Sequence, residues 1–280
     1  SYRYGRRTFG CSCVSSQENK RRTEQKPKKK VNVKFVKAIF KILCLIGLIA
    51  GTISFIMISP VFNITEIEVV NNQKLSDDTY ISLSGINYGE NIYRISKKEI
   101  KEKVKENAYV ESIEINRKIP NKLIIAAKER VATYMIAIDG KYMYIDNQGY
   151  MLELSKNKID FPILKGLETQ KEEIKVGNRL CDNDLEKLNK VLEIYQNATS
   201  VEINNLITEI DVGDKTNYKL ILEKEKKTVH LGEADDLMNK FNWIKVTVEQ
   251  EKGKKGDIYA NRDLDSQPVF FSPTKSKKKD

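Results

Sequence analysis

The side chains that most often carry out chemistry are sparse in this sequence and lie far apart. His230, the only histidine, lies in KKTVHLGE and has no partner at the spacing of a known catalytic or metal-binding motif. Pairs of acids, which could serve as general acid and base, occur at Asp77-Asp78, Asp182/Asp184 and Asp235-Asp236. Each pair stands at or near the start of a predicted helix, where the helix dipole favours negative charge. We therefore expect these acids to stabilise helices.

The remaining chemical motifs are weak. Cys11 and Cys13 form a CSC pair without a nearby histidine or further cysteine, and Asn63 and Asn197 begin N-x-T triplets of a kind that often arises by chance. The sequence contains no G-x-S-x-G, H-E-x-x-H or P-loop motif. We therefore expect no catalytic residue, no metal site, no cofactor and no small-molecule substrate.

The positive charge of the chain is concentrated at one end. The 280 residues carry a net charge of +10, but residues 1–41 alone hold thirteen Lys and Arg against two acids, which leaves −1 for the rest. A nucleic-acid-binding domain carries its basic patch on a folded surface. This distribution argues against nucleic acid as a partner and favours a membrane topology signal.

An uncharged apolar segment follows the basic region. Ile42–Ser59 contains 18 residues without a charge, and a helix from Ile42 to Phe62 would span roughly 30 Å, the thickness of the bilayer's hydrocarbon core. A buried core helix is rarely apolar on every face, and the end of this segment lacks the small-x-small cleavage site of a signal peptide. The segment therefore predicts a transmembrane helix at 35–60, in contact with the lipid bilayer.

The orientation of that helix follows from the same charges. Lys and Arg concentrate on the cytoplasmic side of membrane proteins, so residues 1–34 are expected to form a basic cytoplasmic tail and the rest to lie outside the cytoplasm. The protein is then a single-pass type II membrane protein. Within the helix, small residues recur on one face, which would either allow another helix to approach closely or simply contact lipid: Cys44, Gly47, Gly51 and Ser54.

Residues 61–132 predict a small α+β domain. FNITEIEVV alternates apolar and polar residues as a strand does, and LSDDTYISLSGI and SKKEIKEKVKEN have helical spacing. Ser96 and Glu99 form a capping box at the start of the second helix. YVESIEINRKIP and NKLIIAAKERV then predict two strands. The expected order is β-α-α-β-β.

Residues 133–263 predict a β-rich domain with flanking helices. Asp139-Gly140 and the DNQG at 146–149 are turn signals between three short strands, and helices are expected near residues 182–195 and 234–244. KGDIYANRD predicts a closing strand, and residues 264–280 predict a disordered basic tail. Cys181 is the only cysteine in the exterior part, so no disulfide can form within it.

Several segments resemble the bacterial cell-division proteins FtsQ and DivIB, whose exterior part is a polypeptide-transport-associated (POTRA) domain followed by a β domain. The similarity is carried by FNITEIEVVNNQKLS, LSGINYGENIYRIS, YVESIEINRKIPNKLIIAAKER, YMYIDNQGYML and KGDIYANRDLDSQPVF. The resemblance implies a non-enzymatic scaffold at the division septum. Its partners would be single-span membrane proteins of the FtsB/DivIC and FtsL type.

The resemblance also implies where a partner would bind. In that family the partner adds a strand to a sheet edge near the carboxyl terminus, through main-chain hydrogen bonds. Carried onto this sequence, that edge is Gly256, Asp257, Ile258, Tyr259, Ala260, Asn261 and Arg262. The alternative is an ordinary paired strand with a frayed end. Tyr259 stands where an acid is usual in the family.

Two other functions remain open at this point. A POTRA-bearing component of protein export or assembly would normally have repeated POTRA domains or a barrel. An anchored cell-wall enzyme or polymer-binding module would need a constellation of polar groups. The sequence shows one POTRA-like unit and no such constellation.

Overall fold

The computed structural model of the protein describes residues 33–261 and 269–274. The basic tail at 1–32 with Cys11 and Cys13, as well as Arg262, lies outside the described residues. The chain forms two compact units, one ending at Ser54 and the other beginning at Phe55. The elements are five α-helices, three short 3-10 helices and twelve strands within the described ranges.

The first helix, α1 (Val33–Ile58), is the one helix in the described ranges long and apolar enough to cross a membrane. Its apolar side chains are exposed in the isolated chain, as expected of a surface that meets lipid rather than protein. Cys44, Gly47, Gly51 and Ser54 all lie on α1. Whether these residues contact another helix stays a prediction.

The β-α-α-β-β order predicted for the first exterior domain is confirmed. It consists of β1 (Glu66–Val70), α2 (Asp77–Ser84), α3 (Lys97–Lys105), β2 (Val110–Lys118) and β3 (Lys122–Glu129). The sheet order is β1-β3-β2, with β1 parallel and β2 antiparallel to β3. Ser96 caps α3 by accepting a hydrogen bond from the Glu99 amide at 3.4 Å. Both helices pack on one face of this sheet around the buried Tyr80, Ile100, Val104, Leu123 and Ile125.

The second exterior domain is one long sheet covered by two helices. Its elements are β4 (Ala132–Ile138), β5 (Lys141–Asp146), β6 (Met151–Ser155), β7 (Ile163–Lys165), α4 (Asp182–Ser200), β8 (Glu209–Asp211), β9 (Tyr218–Leu222), β10 (Lys227–Gly232), α5 (Leu237–Gln250), β11 (Gly256–Tyr259) and β12 (Phe270–Pro273). The nine strands lie in the order β12-β11-β10-β9-β8-β7-β4-β5-β6.

The core of the second domain lies between this sheet and its helices. Val191 and Ile194 of α4 and Phe241 and Ile244 of α5 are fully buried against the sheet. Burying a large apolar side chain contributes about 1.5–3 kcal/mol to the free energy of folding, so the packing of both helices stabilises the sheet. The two ends of this sheet are β6 and β12.

Strand β12 corrects one of our predictions. We expected residues 264–280 to be disordered, but Phe270–Pro273 pairs antiparallel with β11. Pro268 precedes the segment, Pro273 is its last residue and a basic run follows it, all of which argue against a strand when only local sequence is considered. The partner strand begins at Gly256, fourteen residues before Phe270. Because the pairing joins residues this far apart, the local sequence pattern does not predict it.

Candidate partner-binding edge

The predicted edge strand is β11, and it has neighbours on both sides. It pairs in parallel with β10 and antiparallel with β12. The prediction that Gly256–Tyr259 itself forms the exposed edge is therefore wrong for this conformation, because β12 occupies the outer side. That these residues bind a partner stays a prediction.

The direction of the main-chain groups of β11 follows from two hydrogen bonds. The amides of Gly256 and Ala260 donate to Lys226 and His230 at 3.3 and 2.8 Å, toward β10. Neighbouring residues of a strand direct their amides to opposite sides, so Asp257 and Tyr259 present N–H and C=O groups toward β12. These groups are the ones that any added strand would need.

One face of β11 belongs to the core. Ile258 and Ala260 are fully buried and Gly256 is buried beside them. A Cβ atom on Gly256 would meet the main-chain oxygen of Ser272 first and would also lie 2.7 Å from two ring atoms of Phe271, so β12 fills the space that a side chain would take. Only glycine at position 256 allows this close contact.

Below that ring lies a buried lysine. The Nζ atom of Lys227 lies 5.9 Å from the Phe271 ring centroid and donates to the carbonyl oxygens of Glu225 and Lys254 at 3.1 and 2.9 Å. The Lys227 side chain has no exposed surface. An aromatic ring in this position contributes a cation–π contact as well as apolar cover.

His230, the only histidine, packs against the other face of β11. The His230 ring stacks on Tyr259 with centroids 4.6 Å apart and planes at 7°, and its Nε2 lies 3.7 Å from Asp257. Because β10 and β11 are adjacent, three residues far apart in sequence form one polar and aromatic surface. Sequence spacing alone could not have brought them together.

The end of β11 is shaped by a second close approach. Gly232, with φ at +75°, lies so near Asn261 that a Cβ atom on the glycine would be 2.7 Å from the Asn261 Cβ. Asn261 is exposed, and Arg262 of the predicted edge lies outside the described residues. Asn261 thus lies two residues after the end of β11, beside Gly232, the last residue of β10.

A second polar cluster lies where the two exterior domains meet. The phenol of Tyr109 donates to Glu153 at 2.7 Å, and the ammonium of Lys74 lies 3.3 Å from the same carboxylate. Arg130 donates to Asp146 at 2.8 Å, and its guanidinium lies 3.6 Å from the Tyr150 ring centroid. These contacts join the POTRA-like domain to β5 and β6.

The contacts at this domain junction shift the pKa values of Glu153 and Tyr109. The hydrogen bond from Tyr109, more than the one from Lys74, holds the pKa of Glu153 below its ordinary value. Burial, together with Glu153, raises the pKa of Tyr109. The phenol therefore stays protonated as the donor and the carboxylate stays charged as the acceptor at neutral pH.

We expect Tyr109→Phe to weaken the contact between the two domains. The substitution keeps the ring and removes one hydrogen bond to a half-exposed carboxylate, which is worth about 1 kcal/mol. Urea unfolding of the full chain in detergent measures the loss, and Tyr88→Phe at an exposed site is the matched control. Equal stability of both variants would contradict the contribution assigned to the Tyr109 hydrogen bond.

Among residues 33–261 and 269–274, no group of three or more His, Cys, Asp or Glu side chains is placed to hold a metal ion. At β11, the outward main-chain groups are paired with β12, and the Phe271 ring covers Gly256 and Lys227.

The fold and the anchor define a class of protein: a membrane-anchored protein with one POTRA-like domain and a β-rich domain. The sequence matches the family descriptions "POTRA domain, FtsQ-type" over residues 62–130 and "FtsQ/DivIB, C-terminal related" over residues 133–261. The chain belongs to the FtsQ/DivIB family of bacterial cell-division proteins.

Individual relatives cover most of the chain. The cell division protein DivIB of Clostridium acetobutylicum is 30% identical over 217 residues, which is 75% of this chain and 83% of that protein. DivIB of Clostridium tetani is 28% identical over 76% of this chain and 80% of its own length. FtsQ of Syntrophotalea carbinolica is 25% identical over 71% and 70%. These names support a role in cell division for a membrane-anchored protein.

Proposed function

We propose that this protein is a non-enzymatic scaffold of the division septum that holds other single-span division proteins through its exterior domains. Its partners are membrane proteins of the FtsB/DivIC and FtsL type, and one of them adds a strand at the carboxyl-terminal end of the long sheet. Family membership supports the division role. The single observation that favours this site is that β11 and β12 form one end of a nine-stranded sheet.

The proposed topology follows the charge distribution. The basic residues before α1 remain in the cytoplasm by the positive-inside rule, and the POTRA and β domains lie outside it, at the septum. In this arrangement α1 fixes the protein to the membrane, and the β domain presents β11 and β12 to the exterior parts of its partners.

Depletion and complementation in the source bacterium test the proposal. Depleted cells should elongate without forming septa, and a fluorescent fusion of the full chain should collect at midcell and restore division. The variant Asp257→Pro should fail to restore it, because it removes an amide that faces the outer side of β11 while leaving the β10 pairing intact.

The control for this experiment lies at the other end of the sheet. Leu154 on β6 is 42% exposed, and Leu154→Asp should restore division at an equal level in the membrane. Normal septation in depleted cells would contradict the division role. Full rescue by Asp257→Pro would contradict the site while leaving the role intact.

A further inference from the structure

Resting on the proposed function, we propose that β12 is an internal placeholder: the partner displaces it from β11 and seats an aromatic side chain of its own against Gly256. The partner segment is thus an extended peptide, antiparallel to β11, with an aromatic residue in the position that Phe271 occupies.

The outer edge of β12 is poorly suited to receive another strand. The Thr274 amide donates to Lys255 at 3.0 Å, toward β11. By alternation, Ser272 and Phe270 also face β11, which leaves Phe271 and Pro273 facing outward. Proline has no N–H, so this four-residue strand offers a single outward donor. Proline on an edge strand is a common device that prevents further pairing.

The edge of β11 has no such obstacle. Asp257 and Tyr259 both direct N–H and C=O groups toward β12, so four main-chain groups become available when β12 leaves. Strand addition depends on such rows of groups. Because β10 fixes the other side of β11 through its own hydrogen bonds, the edge keeps its shape while it exchanges one neighbour for another.

The space beside Gly256 and above Lys227, which the Phe271 ring fills, indicates which side chain the incoming segment must carry. The Phe271 ring lies diagonally across from Gly256 and covers the buried Lys227. Without a ring there, the apolar stem and the ammonium of Lys227 would face water in a poorly packed groove. A partner strand with a small residue in this position would leave that groove open, whereas an aromatic residue would fill it and keep the cation–π contact.

The attachment of β12 is slight compared with that of its neighbours. It is four residues long, and Phe271 is its one side chain packed on the large core, with Phe270 51% exposed. The match to the C-terminal family description ends at residue 261, before β12 begins. Short edge segments with few buried contacts open at a low free-energy cost.

Hydrogen exchange of the full chain in detergent tests the placeholder without a partner. The amides of Asp257 and Tyr259 should exchange at least about tenfold faster than those of Ile258 and Ala260, because the former are covered by β12 alone. Phe271→Ala should accelerate exchange at 257 and 259 further and leave 258 and 260 unchanged. Phe270→Ala, in the same strand, is the control and should have the smaller effect. Equal exchange at all four amides would overturn the proposal.

A reducible disulfide between β11 and β12 tests whether the partner displaces β12. Asp257 and Ser272 are a directly paired, hydrogen-bonded position, where Cα atoms lie about 5.5 Å apart, within the range that a disulfide spans. The full chain with Asp257→Cys and Ser272→Cys carries a photoreactive residue at Tyr259 and is crosslinked in membranes before and after reduction. Chains that carry only one of the two substitutions are the controls, and their capture of the partner should be equal before and after reduction.

The outcomes separate the two proposals. Oxidation should lower capture of a small single-span division protein at least about tenfold, and reduction should restore it, because only the reduced chain can release β12. Undiminished capture by the oxidised chain would overturn the displacement and leave the scaffold function standing. Capture of no division protein in either state by any chain would overturn the scaffold function, and the displacement with it.

Discussion

Asp184→Ala should lower the free energy of unfolding by about 4 kcal/mol, the range measured when one partner of a buried ion pair is removed. Asp184 is fully buried, and its carboxylate accepts hydrogen bonds from the amides of Glu168 and Thr169 and from the Thr169 hydroxyl at 2.6–2.9 Å. The ammonium of Lys187, whose side chain is 2% exposed, lies 3.6 Å away. Alanine leaves these donors without their acceptor.

The ionisation of this cluster supports the size of the effect. Burial alone would raise the pKa of Asp184, but the hydrogen bonds from Thr169 and Glu168 outweigh it and hold the pKa below the ordinary value of 3.8. Burial alone would lower the pKa of Lys187, but Glu168 and Asp184 together raise it. Both groups are charged at neutral pH, so the variant leaves Lys187 buried with Glu168 as its remaining carboxylate partner.

Urea unfolding of the full chain in detergent measures the Asp184→Ala effect. Asp182→Ala is the matched control, because Asp182 is exposed in the same first turn of α4 and should change stability by less than about 0.5 kcal/mol. Asp184→Asn keeps the size of the side chain and should still lose most of the stability. A loss below 1 kcal/mol for Asp184→Ala would contradict the structural role assigned to the cluster.

Glu129→Gln should lower stability by about 2–3 kcal/mol near neutral pH, the cost of weakening several charge-assisted hydrogen bonds. The Glu129 carboxylate accepts from three successive amides, of Gln73, Lys74 and Leu75, at 2.8, 2.6 and 3.1 Å. It also accepts from the Tyr80 hydroxyl at 3.0 Å. These bonds hold the loop between β1 and α2 against the end of β3, next to the domain junction.

The effect of Glu129→Gln should depend on pH in a defined direction. Burial by itself raises the pKa of Glu129, but the three amides and Tyr80 outweigh it and hold the pKa below its ordinary value of 4.5. A lowered pKa in the folded state means that the contribution is complete above pH 4.5 and is lost as the pH falls through the folded-state pKa.

Thermal unfolding of the full chain between pH 7 and pH 3 measures this dependence. The difference between the native chain and Glu129→Gln should be constant above about pH 5 and shrink below it. Glu114→Gln, on an exposed position of β2, is the control and should show little difference at any pH. A difference that grows on acidification would contradict the direction of the pKa shift.

Much of the fold could be predicted because its signals are local. Ser96 and Glu99 lie three residues apart, and their capping interaction depends on nothing outside that turn. Asp139 and Gly140 both adopt positive φ, at 48° and 71°, as the Asp-Gly turn signal between β4 and β5 requires. The unbroken apolar segment of α1 likewise predicts a membrane-spanning helix without any information on tertiary contacts.

The features that the sequence did not predict depend on contacts between residues far apart in the chain. Asp184 had a sufficient local explanation at the start of α4, and its burial follows from Thr169, fifteen residues earlier. The stacking of His230 on Tyr259 exists because β10 and β11 are neighbours in the sheet. Strand β12 has only four residues, the last of which is Pro273, and a segment that short carries too little periodicity to identify a strand.

The scaffold claim is tested most directly by crosslinking in living cells. A photoreactive residue replaces Tyr259 in the full-length protein, and captured chains are identified by mass spectrometry; the same residue in place of Leu154 on β6, at the opposite end of the sheet, is the control. The proposed function predicts capture of a small single-span division protein from position 259 and not from 154. Capture of export or assembly machinery from position 259 would contradict it.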